Sequence, residues 1–330
     1  MKIAFYDTHS YDKEAFTLEN QNYNYEIEFF DFKLSEKTAA TAKGFDAVCV
    51  FVNDVLDKPC LETLALYGIQ LVILRCAGFN NVDLETAKNL MIKVVRVPSY
   101  SPEAVAEHAV ALLLALTRKI PQSYVRTKSG NFTLEGLTGR NLNGLTAGII
   151  GTGKIGKTLA NILKGFGINI ILHDKYPDHT WAEQRNFSYV PLDELFKTSD
   201  IISLHCPLND ETKYIINEKS IALMKNDAVI INTGRGALIN TAALVKALKE
   251  KKIGGAALDV YEEESKYFFS DWSENVISDD ILIRLLTFPN VIVTSHQAFL
   301  TKEALCEIAK TSLENARKIE AGENGANLLI

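Results

Sequence analysis

A glycine-rich segment almost halfway along the chain has the spacing of a dinucleotide-binding turn. Its residues are Gly151, Thr152, Gly153, Lys154, Ile155 and Gly156. The segment follows the apolar run Ala147–Ile150 and opens a helical pattern, and Asp174 stands at the end of the next apolar run. In such a turn the glycines let a pyrophosphate approach the backbone, and the acid accepts hydrogen bonds from the ribose hydroxyls. The arrangement predicts a dinucleotide site.

Asp174 also bears on which dinucleotide binds. A carboxylate at this position repels the 2′-phosphate of NADP, so the sequence favours NAD as cofactor. The adjacent Lys175 weakens that exclusion. Taken alone, the glycines would also fit an ordinary turn, and Asp174 would fit an ordinary strand end.

Three charged side chains in the second half of the chain each follow a predicted strand. The strand and residue pairs are Ala228–Asn232 with Arg235, Gly255–Val260 with Glu264, and Val291–Ser295 with His296. In an open α/β sheet, ligands bind beyond the carboxyl ends of the strands, so all three side chains are expected at one crevice. Each residue could instead have no functional role. Arg235 would then be a surface arginine, Glu264 part of a solvated acidic loop at 262–264, and His296 a strand-end histidine.

The first hundred residues alternate short apolar runs with polar, helical stretches. The predicted strands are Lys2–Tyr6, Glu26–Phe30, Ala47–Phe51, Leu71–Leu74 and Lys93–Val97. This alternation predicts a small parallel α/β unit. A long apolar helix, about Glu103 to Arg118, follows Pro102, and we expect it to be buried, linking two domains or lining a subunit interface.

The second unit has six predicted strands, several of them almost continuously apolar, as expected for strands covered on both faces. Besides the three already named, they are Ala147–Ile150, Ile168–Leu172 and Asp200–Leu204. A final helix, about Lys302 to Glu320, could return to the first unit. We therefore predict an α/β fold of two doubly wound parallel-sheet domains, one formed by 1–100 with 300–330 and the other by 101–299.

Composition excludes several classes of partner. The 330 residues carry a formal charge of −6, which gives no electrostatic reason to expect nucleic acid or an anionic membrane as partner. No apolar segment reaches transmembrane length, and the first residues read as a strand rather than a signal peptide. The five cysteines lack metal-binding spacing, which favours free thiols in the cytoplasm and predicts no metal site.

Together, these motifs resemble the D-isomer-specific 2-hydroxyacid dehydrogenase family, and within it the bacterial fermentative D-lactate dehydrogenases. The resemblance extends over essentially the whole chain. The matching segments are 75–83, 97–104, 151–156, 203–208, 232–236, 259–264 and 295–300. One departure is Gly234, where relatives often carry serine.

The resemblance implies a flavodoxin-like substrate domain, a Rossmann NAD-binding domain and an active site in the cleft between them. It implies reversible, NAD-dependent reduction of pyruvate to D-lactate. Arg235 would bind the keto acid, His296 would be the acid/base, and Glu264 would stabilise the charged imidazolium. A homo-oligomer, dimer or tetramer, is also implied.

The resemblance further assigns binding residues. The backbone amides near Ala77 and Gly78 would hold the substrate carboxylate, and bulky aromatic side chains would leave room for only a small substrate group. The aromatic residues are Phe79, Tyr100 and Phe299. Further cofactor contacts would come from Cys206, Pro207, Thr233, Gly234 and Asp259.

Several alternatives stay open at this point. Asp259 could instead be purely structural, and His205 is expected to be structural or cofactor-adjacent rather than the acid/base. A D-2-hydroxyisocaproate-type dehydrogenase would use the same chemistry on larger keto acids. A non-catalytic NAD(H)-sensing protein on the same fold would bind the cofactor without turnover.

Overall fold

The computed structural model describes residues 1–323, 325 and 327–330. The chain forms two compact units, which we call the first unit (Met1–Ser101 with Leu300–Ile330) and the second unit (Pro102–Phe299). Each has its own parallel sheet and its own helices.

The first unit is built on a five-stranded parallel sheet. Its strands are β1 (Lys2–Phe5), β2 (Glu26–Phe29), β3 (Ala47–Val50), β4 (Leu71–Leu74) and β5 (Lys93–Arg96). They are ordered β2-β1-β3-β4-β5, the flavodoxin-like arrangement. All five predicted strands are present. Four of them end one residue earlier than predicted.

The helices of the first unit begin at clear sequence signals. They are α1 (Ser10–Glu19), α2 (Lys58–Leu66), α3 (Leu84–Asn89) and, from the end of the chain, α12 (Lys302–Glu320). The Asp57, Asp83 and Thr301 side chains cap α2, α3 and α12 by accepting backbone N–H bonds. Helix α12 packs on α1, β4 and β5. Beyond it, the chain pairs antiparallel with β5, with Leu328 opposite Val95.

The second unit has a seven-stranded parallel sheet. Its strands are β6 (Thr146–Ile150), β7 (Asn169–His173), β8 (Ser188–Tyr189), β9 (Ile201–Leu204), β10 (Val229–Asn232), β11 (Gly255–Leu258) and β12 (Val291–Val293). The order β12-β11-β10-β9-β6-β7-β8 is a Rossmann arrangement with one added strand. The predicted fold class is confirmed. Only β8 was not predicted, because two residues at an edge carry no periodic signal.

Helices cover both faces of this sheet. They are α4 (Pro102–Thr117), α5 (Ile120–Lys128), α6 (Lys154–Gly165), α7 (His179–Glu183), α8 (Leu192–Thr198), α9 (Glu218–Leu223), α10 (Thr241–Lys249) and α11 (Asp280–Leu286). The long helix α4 starts at Pro102 and is buried along most of its length against α6, β10 and β11. Within the described residues, no helix is both long and apolar enough to cross a membrane.

Candidate active site

The glycine turn between β6 and α6 is shaped by close backbone contacts. Gly151 has φ +94°, and a Cβ there would overlap the backbone of His205 and Cys206. A Cβ on Gly156 would overlap the carbonyl oxygen of Gly151. Gly153, the N-cap of α6, faces open space instead. The turn therefore leaves the N-terminus of α6 accessible to an anionic group, as a pyrophosphate site requires.

Asp174 lies directly after β7 and is tied to the glycine turn. It accepts hydrogen bonds from the Thr152 backbone N–H at 2.5 Å, the Thr152 Oγ1 at 3.0 Å and the Tyr176 backbone N–H at 2.8 Å. Burial alone would raise the pKa of Asp174, but these hydrogen bonds outweigh it and hold the pKa below its ordinary value. The carboxylate is thus charged at neutral pH, as recognition of an unphosphorylated ribose requires.

Lys175 does little to relieve the negative charge of Asp174. Its Nζ lies 2.6 Å from Glu211 Oε2, and both side chains are exposed. The lysine charge is therefore paired with a carboxylate other than that of Asp174.

Three neighbouring strands carry the charged side chains. β10, β11 and β12 are adjacent and parallel, and Asn232, Leu258 and Val293 lie in register. Arg235 lies three residues after Asn232, and His296 lies three residues after Val293. Strands are spaced by ~4.8 Å, so the backbones that lead to Arg235 and His296 are roughly 10 Å apart, within reach of long side chains.

His296 and Glu264 form a direct pair. His296 Nδ1 lies 2.8 Å from Glu264 Oε1, and the two side chains are only 17% and 20% exposed. The second oxygen of Glu264 accepts the Tyr261 backbone N–H at 3.0 Å. The carboxylate is fixed on one side by the backbone and turned toward the imidazole on the other.

The three consecutive glutamates have three different partners. Glu262 accepts hydrogen bonds from the Tyr214 hydroxyl and from the Thr241 hydroxyl. Glu263 pairs with Lys266 on the surface. Glu264 alone of the three contacts His296, so geometry distinguishes residues that the sequence pattern could not.

His296 is held in an unusual backbone conformation. Its φ is +54°, in the left-handed region, and its N–H donates to the carbonyl oxygen of Asp259 at 2.7 Å. The buried Asp259 carboxylate accepts the backbone N–H groups of Gln297 and Ala298, both at 2.9 Å. Asp259 thus fixes the turn that carries His296.

Asp259 has two further partners that sequence reasoning did not identify. The Thr294 hydroxyl donates to Asp259 Oδ1 at 2.5 Å, and His108 Nε2 of α4 lies 3.3 Å from the same oxygen. Burial would raise the pKa of Asp259, but hydrogen bonds from His108, Thr294, Ala298 and Gln297 lower it on balance. No local signal marks His108, because α4 precedes Asp259 by about 150 residues.

Arg235 lies in the loop after β10, and hydrogen bonds within that loop stabilise it. Asn232 Nδ2 donates to the Arg235 carbonyl at 2.9 Å, and its Oδ1 accepts the Gly234 N–H at 3.0 Å. The Arg235 Nη1 donates to the Gly234 carbonyl at 2.8 Å, and the side chain is half-buried. Thr233 beside it is buried, and its hydroxyl has no hydrogen-bond partner within the described part of the chain.

His205 is placed differently from His296. It lies after β9, and its Nε2 is 2.8 Å from the Ser203 hydroxyl. Burial lowers the pKa of His205 to about 4, so the ring is neutral at physiological pH. Cys206 lies against Gly151, and burial raises its pKa to about 11, which keeps it a thiol; Pro207 is exposed. His205 and Cys206 border the glycine turn, and neither changes its protonation state near neutral pH.

The predicted substrate-binding residues of the first unit follow two adjacent strands. Ala77, Gly78 and Phe79 come after β4, and Tyr100 comes after β5. All four are partly buried. Phe299, the last residue of the second unit, is buried.

A doubly wound sheet with a glycine turn, an acid after its second strand, and an arginine and a histidine–glutamate pair at its carboxyl edge defines a nucleotide-dependent oxidoreductase. Residues 110–298 match the NAD binding domain of the D-isomer specific 2-hydroxyacid dehydrogenases. The chain belongs to the D-isomer specific 2-hydroxyacid dehydrogenase family. This confirms the predicted family and supports NAD as the cofactor.

Relatives agree along the full length. The D-lactate dehydrogenase of Escherichia coli (strain K12) is 52% identical over 330 residues, covering 100% of both chains. The apo structure of the D-lactate dehydrogenase from Escherichia coli superposes with a TM-score of 0.93 at 50% identity, again covering 100% of both chains. A structure described as the pyruvate reductase of Chlamydomonas reinhardtii has a TM-score of 0.95 at 41% identity, covering 99% of this chain and 98% of that one.

Proposed function

We propose that this protein catalyses the reversible, NAD-dependent reduction of pyruvate to D-lactate. The observation that carries the proposal is the His296–Glu264 pair at the same sheet edge as Arg235, in a chain 52% identical to a D-lactate dehydrogenase. The handedness of the product and the choice of pyruvate come from the relatives.

The glycine turn and Asp174 form the proposed dinucleotide site. The N-terminus of α6 holds the pyrophosphate, and Asp174 accepts hydrogen bonds from the adenosine ribose. The proposed site is bordered by Gly151–Gly156, Cys206, Pro207 and the 233–234 segment. Asp259 is proposed to contact the cofactor at its nicotinamide end. When bound, the cofactor supplies or accepts the hydride. NAD is preferred over NADP because Asp174 is charged.

Arg235 is the proposed substrate anchor. Its guanidinium is a planar fork of N–H donors that can hold the keto-acid carboxylate and the ketone oxygen. The backbone amides of Ala77 and Gly78 also donate to the carboxylate. These contacts fix the carbonyl carbon for attack from one face, which is the condition for a single enantiomer.

His296 is the proposed acid/base. Nδ1 faces Glu264, so Nε2 is the nitrogen presented to substrate. In the charged ring, Nδ1–H donates to Glu264 while Nε2–H donates to the ketone oxygen and passes its proton as the alcohol forms. In the reverse direction the neutral ring takes the hydroxyl proton at Nε2. Glu264 stabilises the charged ring and fixes its orientation.

Substrate size is proposed to be limited by aromatic side chains at Phe79, Tyr100 and Phe299. They leave room for the methyl group of pyruvate and crowd a branched chain. One methylene in such a pocket changes the barrier by only about 1–3 kcal/mol, so some activity on larger keto acids is expected.

Self-association is also proposed. Helix α5 and the loop after it expose a cluster of large apolar side chains, between 55% and 81% accessible. They are Ile120, Tyr124, Val125, Phe132 and Leu134. Such a concentration on one segment supports a homo-oligomer. Light scattering after size exclusion tests it: the wild type should exceed the monomer mass, and a Tyr124→Asp, Val125→Asp variant should approach it.

The test of the activity is NADH oxidation with pyruvate, beside 2-ketoisocaproate, phenylpyruvate and hydroxypyruvate, with chiral analysis of the products. We expect fastest turnover with pyruvate and D-lactate as the product. Preference for a larger keto acid would keep the mechanism and change the substrate. Cofactor binding without any turnover would contradict the proposal.

A further inference from the structure

In the loop that follows β4, three successive carbonyl groups each accept a hydrogen bond. The Cys76 carbonyl accepts the Val97 backbone N–H at 3.2 Å. The Ala77 carbonyl accepts Arg96 Nη1 at 2.9 Å. The Gly78 carbonyl accepts the Cys76 thiol at 3.3 Å. Of these three donors, only Arg96 carries a charge.

A bond to a carbonyl also orients the next amide. In a trans peptide the C=O of one residue and the N–H of the following residue point in opposite directions within one plane. Arg96 at the Ala77 oxygen therefore sets the direction of the Gly78 N–H. A charged donor on the carbonyl also polarises the peptide group, which makes that N–H a stronger donor.

Arg96 holds the loop at a second point. Its guanidinium lies over the Phe79 ring, 5.1 Å from the centroid. A single rigid, planar group thus contacts both Ala77 and Phe79, on either side of Gly78. Lysine could supply a donor to the Ala77 oxygen but could not reproduce the planar stacking.

Arg96 is itself held by the last segment of the chain. Its N–H donates to the Asn327 carbonyl at 3.1 Å, and its carbonyl accepts Asn315 Nδ2 at 2.9 Å. Asn327 Nδ2 donates to Asn315 Oδ1 at 3.0 Å. Asn315 is buried on α12. The C-terminal segment therefore holds the backbone of Arg96, and Arg96 in turn holds the loop after β4.

We propose that Arg96 is a positioning residue for the keto-acid carboxylate, orienting and polarising the Gly78 amide, and that the C-terminal segment, through Asn315 and Asn327, holds Arg96 in place. The inference rests on the proposed function, because it takes the Gly78 amide to be a substrate contact. It adds a residue of strand β5 to the machinery that recognises the substrate.

The test compares Arg96→Met, which keeps length and apolar bulk, with Arg96→Lys, which keeps the charge and a donor. For Arg96→Met we expect the KM for pyruvate to rise about tenfold, the loss typical of one weakened hydrogen bond to a charged group, with kcat changed less than about threefold. The Kd for NADH should not change. Arg96→Lys should recover part of the loss. Lys93→Met, at the other end of β5, is the matched control and should behave as wild type.

A second variant keeps the test decisive if Arg96→Met does not fold. Asn327→Ala removes the hydrogen bond to Asn315 and should raise the KM for pyruvate by about two- to fivefold with the same kcat. An unchanged KM in folded Arg96→Met, or in Asn327→Ala if the former does not fold, would overturn the inference. Equal loss in Arg96→Lys and Arg96→Met would also overturn it. A wild type that reduces no keto acid would instead refute the proposed function.

Discussion

The carboxyl edges of the two sheets use charge in opposite ways. In the first unit, Arg75 and Asp54 follow β4 and β3 and are almost completely buried, at 1% and 0% exposure. In the second unit, Glu264 and His296 are partly open to solvent. Both edges carry arginine and carboxylate, so residue type does not separate them. Exposure separates these two pairs: buried charges hold the backbone together, as Asp259 also does in the second unit, while accessible charges can exchange protons with a ligand.

The buried charges of the first unit are bound to loops rather than offered to a ligand. Arg75 Nη2 donates to the Asp7 carbonyl at 2.7 Å, and its guanidinium lies over the rings of both Phe5 and Phe51. Asp54 accepts the backbone N–H groups of Leu34 at 2.6 Å and Phe51 at 2.5 Å. These contacts tie together the loops after β1, β2, β3 and β4.

A large effect is expected at Arg235, the accessible arginine. Arg235→Gln should lower kcat/KM for pyruvate by about 10²–10⁴-fold, because two hydrogen bonds to charged or developing-charge oxygens are lost. Steady-state kinetics checks this, with Arg284→Gln on exposed helix α11 as the control. A loss below about tenfold would show that Arg235 does not bind the reacting group.

The buried carboxylate of Asp54 should affect the pH dependence of folding stability rather than catalysis. Burial raises the pKa of Asp54 to about 6, although Arg75 and the hydrogen bonds from Phe51 and Leu34 oppose the shift. The folded state then holds a proton that the unfolded state has lost, so this residue's contribution to stability falls as pH rises from about 4 to about 6. The change is on the order of 3 kcal/mol.

Urea unfolding of wild type and Asp54→Asn between pH 4 and 7 measures this contribution. The free energy of unfolding of wild type, relative to the variant, should decline across that window and level off above pH 6. Parallel curves for the two proteins would contradict the assignment of Asp54 as the titrating group.

Glu264→Gln should lower kcat by about 10²-fold, because the charged imidazolium loses its carboxylate partner. NADH binding should stay the same. Glu263→Gln is the matched control, since Glu263 pairs with Lys266 and not with His296. If the two variants had similar kcat, the distinction drawn between the neighbouring glutamates would be wrong.

The smallest effect is expected at the cofactor end of the second sheet. Asp174→Ala should raise the Kd for NADH about tenfold and narrow the preference over NADPH, because the ribose loses its acceptor and the 2′-phosphate loses its repulsion. Fluorescence titration with both cofactors measures this. Asp193→Ala, an exposed acid on α8, should change neither; an unchanged preference in Asp174→Ala would contradict the proposed role.

The sequence predicted the fold well because the signals are local. Each interior strand is a nearly continuous apolar run, and the glycine turn stands at the expected strand–helix junction. The edge strand β8 and the largely polar helix α5 were missed because neither has an apolar pattern long enough to recognise.

The candidate site was only partly predictable. Arg235, Glu264 and His296 follow predicted strands, so their shared edge could be inferred. The His108–Asp259 contact could not be, since it depends on how α4 packs against β11. Arg96 looked like an ordinary strand residue, and its partners Asn315 and Asn327 lie more than two hundred residues away.

The most direct measurement compares turnover and cofactor binding in His296→Ala. We expect pyruvate reduction to fall by about 10³–10⁴-fold, as for loss of a general acid, while the Kd for NADH stays within about twofold. The surface variant His179→Ala should match wild type in both. Retained turnover in His296→Ala would contradict the claim that the accessible histidine–glutamate pair performs the proton transfer.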